Sequence, residues 1–272
     1  ALSCLKSMGN SPAVLVTRPA GQEAALCRAV AAAGYVAHSQ PLLELNAIPS
    51  LSPDQRQHLL DLDRYRHIVF VSGNAVRFGM AWIEALRPRL PEGSNWYAVG
   101  EATASLLRAH GVEVLTPGDE MTSEGLLALP GLQTVAGDRI LIVKGEGGRA
   151  TLREELSRRG ARVDELACYR RSCPRLAPGE LAGRLQRWGI GVILLSSGEG
   201  LANLLALLAP QEFSKLRHVA LIVPSARVAD AAREAGFDQI VTADNASDAA
   251  MLAALEKCSP TGHSPATPET NE

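Results

Sequence analysis

The chain repeats itself, and few folds accommodate the way it does so. Offset by 125 residues, Phe70-Val71-Ser72-Gly73 falls on Leu195-Ser196-Ser197-Gly198, Gly100 on Ser225, Ala104 on Ala229, Arg108 on Arg233 and Gly111 on Gly236, without a gap. Thr122-Ser123 falls on Ser247-Asp248 in the same register. Offset by 126 residues, Arg18 falls on Lys144, Gly21 on Gly147, Leu26 on Leu152 and Gly34 on Gly160. Self-similarity at a fixed offset marks two copies of one structural unit. Chance likeness between Ala- and Leu-rich helices would not also align the glycines and the strand-end hydroxyls. The order of the matches matters too. The run at Leu15 matches the run at Leu141, which closes the other copy. One copy is therefore continuous over 50–165. The other is split between 1–38 and 174–258. The chain must cross twice, at 39–49 and 166–173, two short proline-bounded stretches expected to pair as linker strands.

Short apolar runs alternate with helical patterns. Val14-Leu15-Val16 reads as a strand and 22–33 as a helix closed by Gly34. Ile68-Val69-Phe70-Val71 is followed by a helical stretch at 74–86, and 96–99 by one at 102–109 that ends at Gly111. Apolar runs at 140–143, 192–195 and 219–223 continue the theme. Such alternation implies parallel sheets covered by helices on both faces. The expected fold class is α/β: two similar flavodoxin- or Rossmann-like domains related by the repeat and joined by a two-stranded linker. A length of 272 residues suits two such domains. Residues 259–272 are rich in Pro, Thr and Ser and are expected to be a disordered tail. Residues 1–10 are read as including a cloning remnant.

Composition removes several function classes. Lys+Arg is 27 against Asp+Glu 29, a net charge of -2, so the chain is no general nucleic-acid coat. Aromatic residues are 4%, too few for single-strand stacking platforms. No apolar run reaches the length of a membrane span, and Lys6 interrupts the only signal-like start, which points to the cytoplasm. The five cysteines form no C-x-x-C pair and read as incidental thiols of a reducing compartment. The histidines never pair at metal spacing, so no metal is expected. The phosphate-loop, dinucleotide and nucleophile-elbow motifs are missing, and 144–149 is Gly-rich at the wrong spacing. His38 is the only histidine near a domain junction, and it reads first as a packing or surface residue. Without a heptad seam, a monomer is the default.

In parallel α/β sheets, ligands bind beyond the carboxyl ends of the strands. The residues expected there are Thr17-Arg18-Pro19, Ser72-Gly73-Asn74, Gly100-Glu101, Thr122-Ser123-Glu124, Lys144-Gly145-Glu146, Ser196-Ser197-Gly198 and Ser225. Small and hydroxylated residues let a ligand approach the backbone, and the following helix N-termini favour anions. Each alone is equally an ordinary N-cap. Distributed over two domains expected to face each other, they point to a shared anion-binding cleft. Arg18, Arg77, Lys144, Arg149, Arg170, Arg171 and Arg227 lie near these ends or the crossings and can hold carboxylates. Tyr169, in the second crossing, is a candidate proton donor or acceptor, or else a structural phenol.

These features together resemble the uroporphyrinogen-III synthase family. Thr17-Arg18-Pro19 opens the likeness. Phe70-Val71-Ser72-Gly73-Asn74-Ala75-Val76 is similar to the family's F-T-S-x-N-A-V, and Ala98-Val99-Gly100-Glu101-Ala102-Thr103-Ala104 to its A-V-G-x-x-T-A. Thr122-Ser123-Glu124-Gly125-Leu126, the tract 144–149, Cys168-Tyr169-Arg170 and Ser196-Ser197 follow in order, covering about 13–257. Val71 replaces the usual Thr, and Val228 stands where the repeat has Thr103. The resemblance implies two α/β domains with the active site between them, no cofactor, and hydroxymethylbilane as substrate, handed over by the upstream deaminase. Carried onto this chain, it implies substrate binding by Thr17, Arg18, Ser72, Gly73, Asn74, Gly100, Thr103, Ser123, Lys144, Gly145, Arg149, Ser196, Ser197 and Ser225. Tyr169 would assist departure of the hydroxyl. A non-catalytic sensor of an anionic metabolite fits the same fold and strand ends; the order of the motifs favours the enzyme.

Overall fold

A computed structural model describes residues 12–118 and 120–258. The readings of residues 1–10 and of the 259–272 tail fall outside the described residues. Within the described residues the chain divides into two compact units, 12–44 with 172–258, and 45–171. The first unit begins with β1 (Ala13–Val16), α1 (Ala24–Ala32) and β2 (Ala37–Ser39), and β3 (Glu44–Ala47) leads out of it. The second unit runs α2 (Pro53–Leu60), a 3-10 turn (Leu62–Arg64), β4 (His67–Phe70), α3 (Gly73–Leu86), β5 (Asn95–Ala98), α4 (Glu101–Arg108) and β6 (Val114–Leu115). It continues with α5 (Ser123–Leu127), α6 (Pro130–Gln133), β7 (Arg139–Lys144), α7 (Thr151–Arg158) and β8 (Arg162–Ala167). β9 (Tyr169–Ser172) leads back to α8 (Glu180–Arg187), β10 (Ile190–Leu194), α9 (Gly198–Ala206), α10 (Pro210–Leu216), β11 (Ala220–Val223), α11 (Ala226–Ala235), β12 (Ile240–Thr242) and α12 (Asp248–Cys258). The two crossing strands, β3 and β9, pair as a two-stranded sheet.

Each unit is built on a five-stranded parallel sheet, ordered β12-β11-β10-β1-β2 in the first and β6-β5-β4-β7-β8 in the second. The repeat extends to strand register. Val16 faces Leu194 in one sheet, and their offset partners Ile142 and Val69 face each other in the other. Val14 faces Ala37 as Ile140 faces Val163, and Val192 faces Ala220 as His67 faces Asn95. The register differs at the edge, where Trp96 pairs with Val114 but Leu221 with Ile240, one residue further on, and at the start of β1, where the pairing with β10 shifts between Ala13 and Val14.

The strands are apolar at nearly every position because helices cover both faces. Alternation then divides the side chains. In the first unit Leu15, Ile193 and Leu221 pack under Leu181, Leu201 and Val228. Val14, Val16, Leu194 and Ile222 pack on the other face against Leu26, Val30, Met251 and Leu255. In the second unit Ile68, Phe70, Leu141 and Val143 meet Val76, Met80 and Ile83. Val69, Tyr97, Ile140 and Ile142 meet Leu126, Leu132, Leu152 and Leu156. The aligned glycines have a conformational cause. Gly34 and Gly160, which stop α1 and α7, both take φ 92°, where a Cβ would be strained.

Candidate functional site

In each sheet the strand order reverses at one place: between β4 and β7 in the second unit, and between β10 and β1 in the first. The crevice beyond the carboxyl ends at such a reversal is the expected ligand site. In the second unit it is a cavity of about 230 Å³ lined by Val71 and Ser72 after β4, Lys144 at the end of β7 with Gly145, Gly147 and Gly148 after it, and Ser123 of α5. Ile142, Arg149, Leu152, Arg153, Glu165, Tyr169 and Arg171 complete the wall. That volume is below the usual range for a whole drug-sized ligand, so the cavity suits one ring or one acidic side chain of a larger molecule.

Local structure places each of these groups. Ser72 is the N-cap of α3, its Oγ accepting from Ala75 N–H at 3.0 Å. The same Oγ lies 3.0 Å from Tyr169 Oη. Tyr169 is buried. Its strand is fastened to the loop after β7: Cys168 N–H donates to the Lys144 carbonyl, and Glu146 N–H to the Tyr169 carbonyl, both at 2.8 Å. The ring stacks on Phe78, centroids 5.3 Å apart, and lies flat against Gly145, where a Cβ would come within 2.6 Å of Tyr169 Cζ. A glycine is required there by close approach. Gly147 and Gly148 follow at φ 73° and 83°, turning the chain around the cavity mouth.

The cavity is strongly cationic. Lys144, Arg149, Arg153 and Arg171 line it against one carboxylate, Glu165. Lys144 Nζ donates to Glu165 Oε2 at 2.9 Å, and Arg153 Nη1 lies 3.5 Å from Oε1. In this setting an acidic ligand gains both charge and hydrogen bonds. The cavity also offers a hydroxyl pair able to hand over a proton.

Of the residues singled out from the sequence, Ser72, Ser123, Lys144, Gly145, Arg149 and Tyr169 line this one cavity. Gly73, Asn74, Gly100 and Thr103 belong to the same unit but not to its lining. Gly73 and Asn74 open α3, Gly100 caps α4, and Thr103 is buried within α4. Thr17, Arg18, Ser196, Ser197 and Ser225 sit at the corresponding strand ends of the first unit. There Thr17 Oγ1 donates to the Leu194 carbonyl at 2.6 Å, across the reversal. Arg18 Nη2 donates to Asp248 Oδ1 at 2.7 Å and to the Ala246 carbonyl. Ser197 and Ser225 cap α9 and α11. Arg153 and Glu165 were not foreseen as site residues. The signal for Glu165 was present: two positions before Ala167, which pairs with Lys144, it shares the Lys144 face of the sheet.

Cys27, Cys168, Cys173 and Cys258 are free thiols. Among the described residues, no three His, Cys, Asp or Glu side chains gather as a metal site. No helix there is long and apolar enough to cross a membrane.

A family profile described as uroporphyrinogen-III synthase HemD matches residues 24–253. The chain is similar to the uroporphyrinogen-III synthase of Salmonella typhimurium, 37% identical over 246 residues that cover 89% of this chain and 99% of that protein. It is 35% identical to the Escherichia coli protein of the same name over the same shares. Among solved structures, a mutant uroporphyrinogen III synthase from Thermus thermophilus shares the fold with a TM-score of 0.59 at 20% identity, covering 91% of this chain and 98% of that one. The Helicobacter pylori uroporphyrinogen-III synthetase gives 0.56 at 19%, covering 83% and 93%.

Proposed function

The chain belongs to the uroporphyrinogen-III synthase family, cyclising lyases of tetrapyrrole synthesis, and from that premise we propose how its residues act on hydroxymethylbilane. The observation that carries the reading is the Ser72–Tyr169 hydroxyl pair at the edge of a cationic cavity. Tyr169 Oη donates its proton to the departing hydroxyl. The C–O bond breaks, water leaves, and the pyrrole nitrogen lone pair forms the azafulvene. Ser72 then donates a hydrogen bond to the tyrosinate. The terminal pyrrole attacks through its substituted carbon, giving a spiro intermediate that fragments and recloses at the other carbon. The proton lost as that ring regains aromaticity returns to Tyr169, so water is the only by-product.

Lys144, Arg149 and the Gly145–Gly148 loop are proposed to hold acidic side chains of the substrate. Free bilane closes unaided to the uninverted isomer, so the protein's task is to hold the ring that must turn over. Discrimination of ~100-fold needs only ~2.7 kcal/mol, well within what positioning supplies. Supplying hydroxymethylbilane made in situ by its deaminase, then oxidising and separating the products, tests the reading. Predominantly type III isomer is expected. Type I alone from folded protein would favour the metabolite-sensor alternative.

A further inference from the structure

A carboxylate inside a cavity built for carboxylates works against its ligand. Glu165 is such a group, and it is not a stray surface residue. Its side chain is only 25% exposed, on β8, where the sheet fixes its direction. Its two oxygens are divided between two cations of the wall, Oε2 on Lys144 and Oε1 on Arg153. The Lys144 side chain is only 16% exposed, so in the empty protein its charge needs a partner. The corresponding place in the first unit is solved differently. Arg18, the offset match of Lys144, is closed off by Asp248, whose own match in the second unit is Ser123. The second unit thus lacks that acid and draws one from β8 instead.

We propose that Glu165 is a resident counter-carboxylate that sets the affinity of this cavity for polycarboxylates. It holds Lys144 and Arg153 in position while the cavity is empty. It shares them when an acidic side chain of the substrate enters, and its charge weakens the grip on the product so that the macrocycle can leave. This rests on the reading of the cavity given above. Glu165 does not touch the reacting atoms and acts through Lys144 and Arg153.

The test is the Kd of uroporphyrin III, the oxidised product, measured at low and high salt. Glu165→Gln keeps an acceptor oxygen for either cation but removes the charge. It is expected to tighten binding about tenfold at low salt, with the gain shrinking at high salt, as one partly screened charge at close range requires. Glu165→Ala should move in the same direction, whereas the charge-preserving Glu165→Asp should stay within about twofold of the parent. Under steady state, Glu165→Gln should lower KM and kcat together, as slowed product release demands. Unchanged or weaker uroporphyrin binding by folded Glu165→Gln, alongside clear losses in Lys144→Gln and Arg149→Gln, would overturn the role of Glu165 alone. Binding indifferent to Lys144→Gln and Arg149→Gln would overturn the cavity assignment, and this inference with it.

Discussion

The hydroxyls of Ser72 and Tyr169 meet at 3.0 Å across 97 residues of sequence. Ser72 Oγ already accepts the Ala75 N–H of its own helix, so its hydrogen is available to the phenol oxygen. Cap and phenol are thereby joined. The helix that Ser72 starts fixes where the phenol points, and Phe78 of the same helix stacks on its ring. A phenol held on one side by a helix cap and on the other by a glycine has little freedom to move.

Removing the phenol oxygen should therefore cost chemistry and spare the fold. Tyr169→Phe retains the stack on Phe78 and the contact with Gly145. We expect kcat to fall about 100-fold, the scale of one lost general acid, with KM changed little. Ser72→Ala should lower kcat less, but it also removes an N-cap worth about 1 kcal/mol of stability. Because the two oxygens share one bond, their effects on kcat should be less than additive in the double variant. Full activity in Tyr169→Phe would remove the phenol from the mechanism.

Gly145→Ala tests the other side of the ring. Its Cβ would sit 2.6 Å from Tyr169 Cζ, so the ring must move off the cavity wall or the loop must yield. Overpacking of this kind costs about 1–3 kcal/mol. The melting temperature should drop and type III product should fall with it. Gly147→Ala, where nothing crowds the added methyl, should show only the milder penalty of a left-handed backbone.

The fold was legible in the sequence because a register repeat leaves a mark at every strand. Leu15, Leu141, Ile68 and Ile193 occupy equivalent places, and their spacing alone told which strands correspond. Strand ends were legible because hydroxyls and glycines stand out there; Ser72 and Gly145 were singled out on that ground and Tyr169 as the phenol of the second crossing, and all three line one cavity. Glu165 and Arg153 were not singled out, because their role depends on which acid meets which base, and the repeat does not fix that. Arg18 and Lys144 are matched residues with unmatched partners, Asp248 from a helix start in one unit and Glu165 from a strand in the other. Pairing of long side chains is decided by register and packing, which a list of strand ends does not contain.

Cys168 provides a probe of the second unit's core. Burial pushes its thiol up to about 12. The unfolded chain ionises this thiol at its ordinary, lower value, so the stabilising contribution is complete below that value and is lost as pH rises toward 12. The urea midpoint should thus fall with pH above about 9, where a free thiol ionises. Cys168→Ala should be less stable at neutral pH yet show a shallower alkaline decline. Equal slopes in the two proteins would mean the thiol titrates as if exposed. Tyr65 and Tyr97, whose phenols burial also raises, contribute to both curves and cancel in the comparison.

Arg18 and Lys144 should separate stability from binding, although the repeat makes them equivalent. Arg18 ties the end of β1 to α12 through Asp248 and the Ala246 carbonyl, and its side chain is only 16% exposed. Arg18→Gln should lose about 1–2 kcal/mol of folding stability, the range of a charge-assisted hydrogen bond with a part-exposed partner. Lys144 instead shares Glu165 with Arg153, which would remain to hold that carboxylate. Lys144→Gln should leave the melting temperature nearly unchanged while KM rises about tenfold, most clearly at low salt, where a lost cation is least screened. Paired measurements of melting temperature and KM on the two variants decide the matter. Should Lys144→Gln unfold easily with KM intact, the lysine is a structural tie like Arg18, and the acidic groups of the substrate are held elsewhere.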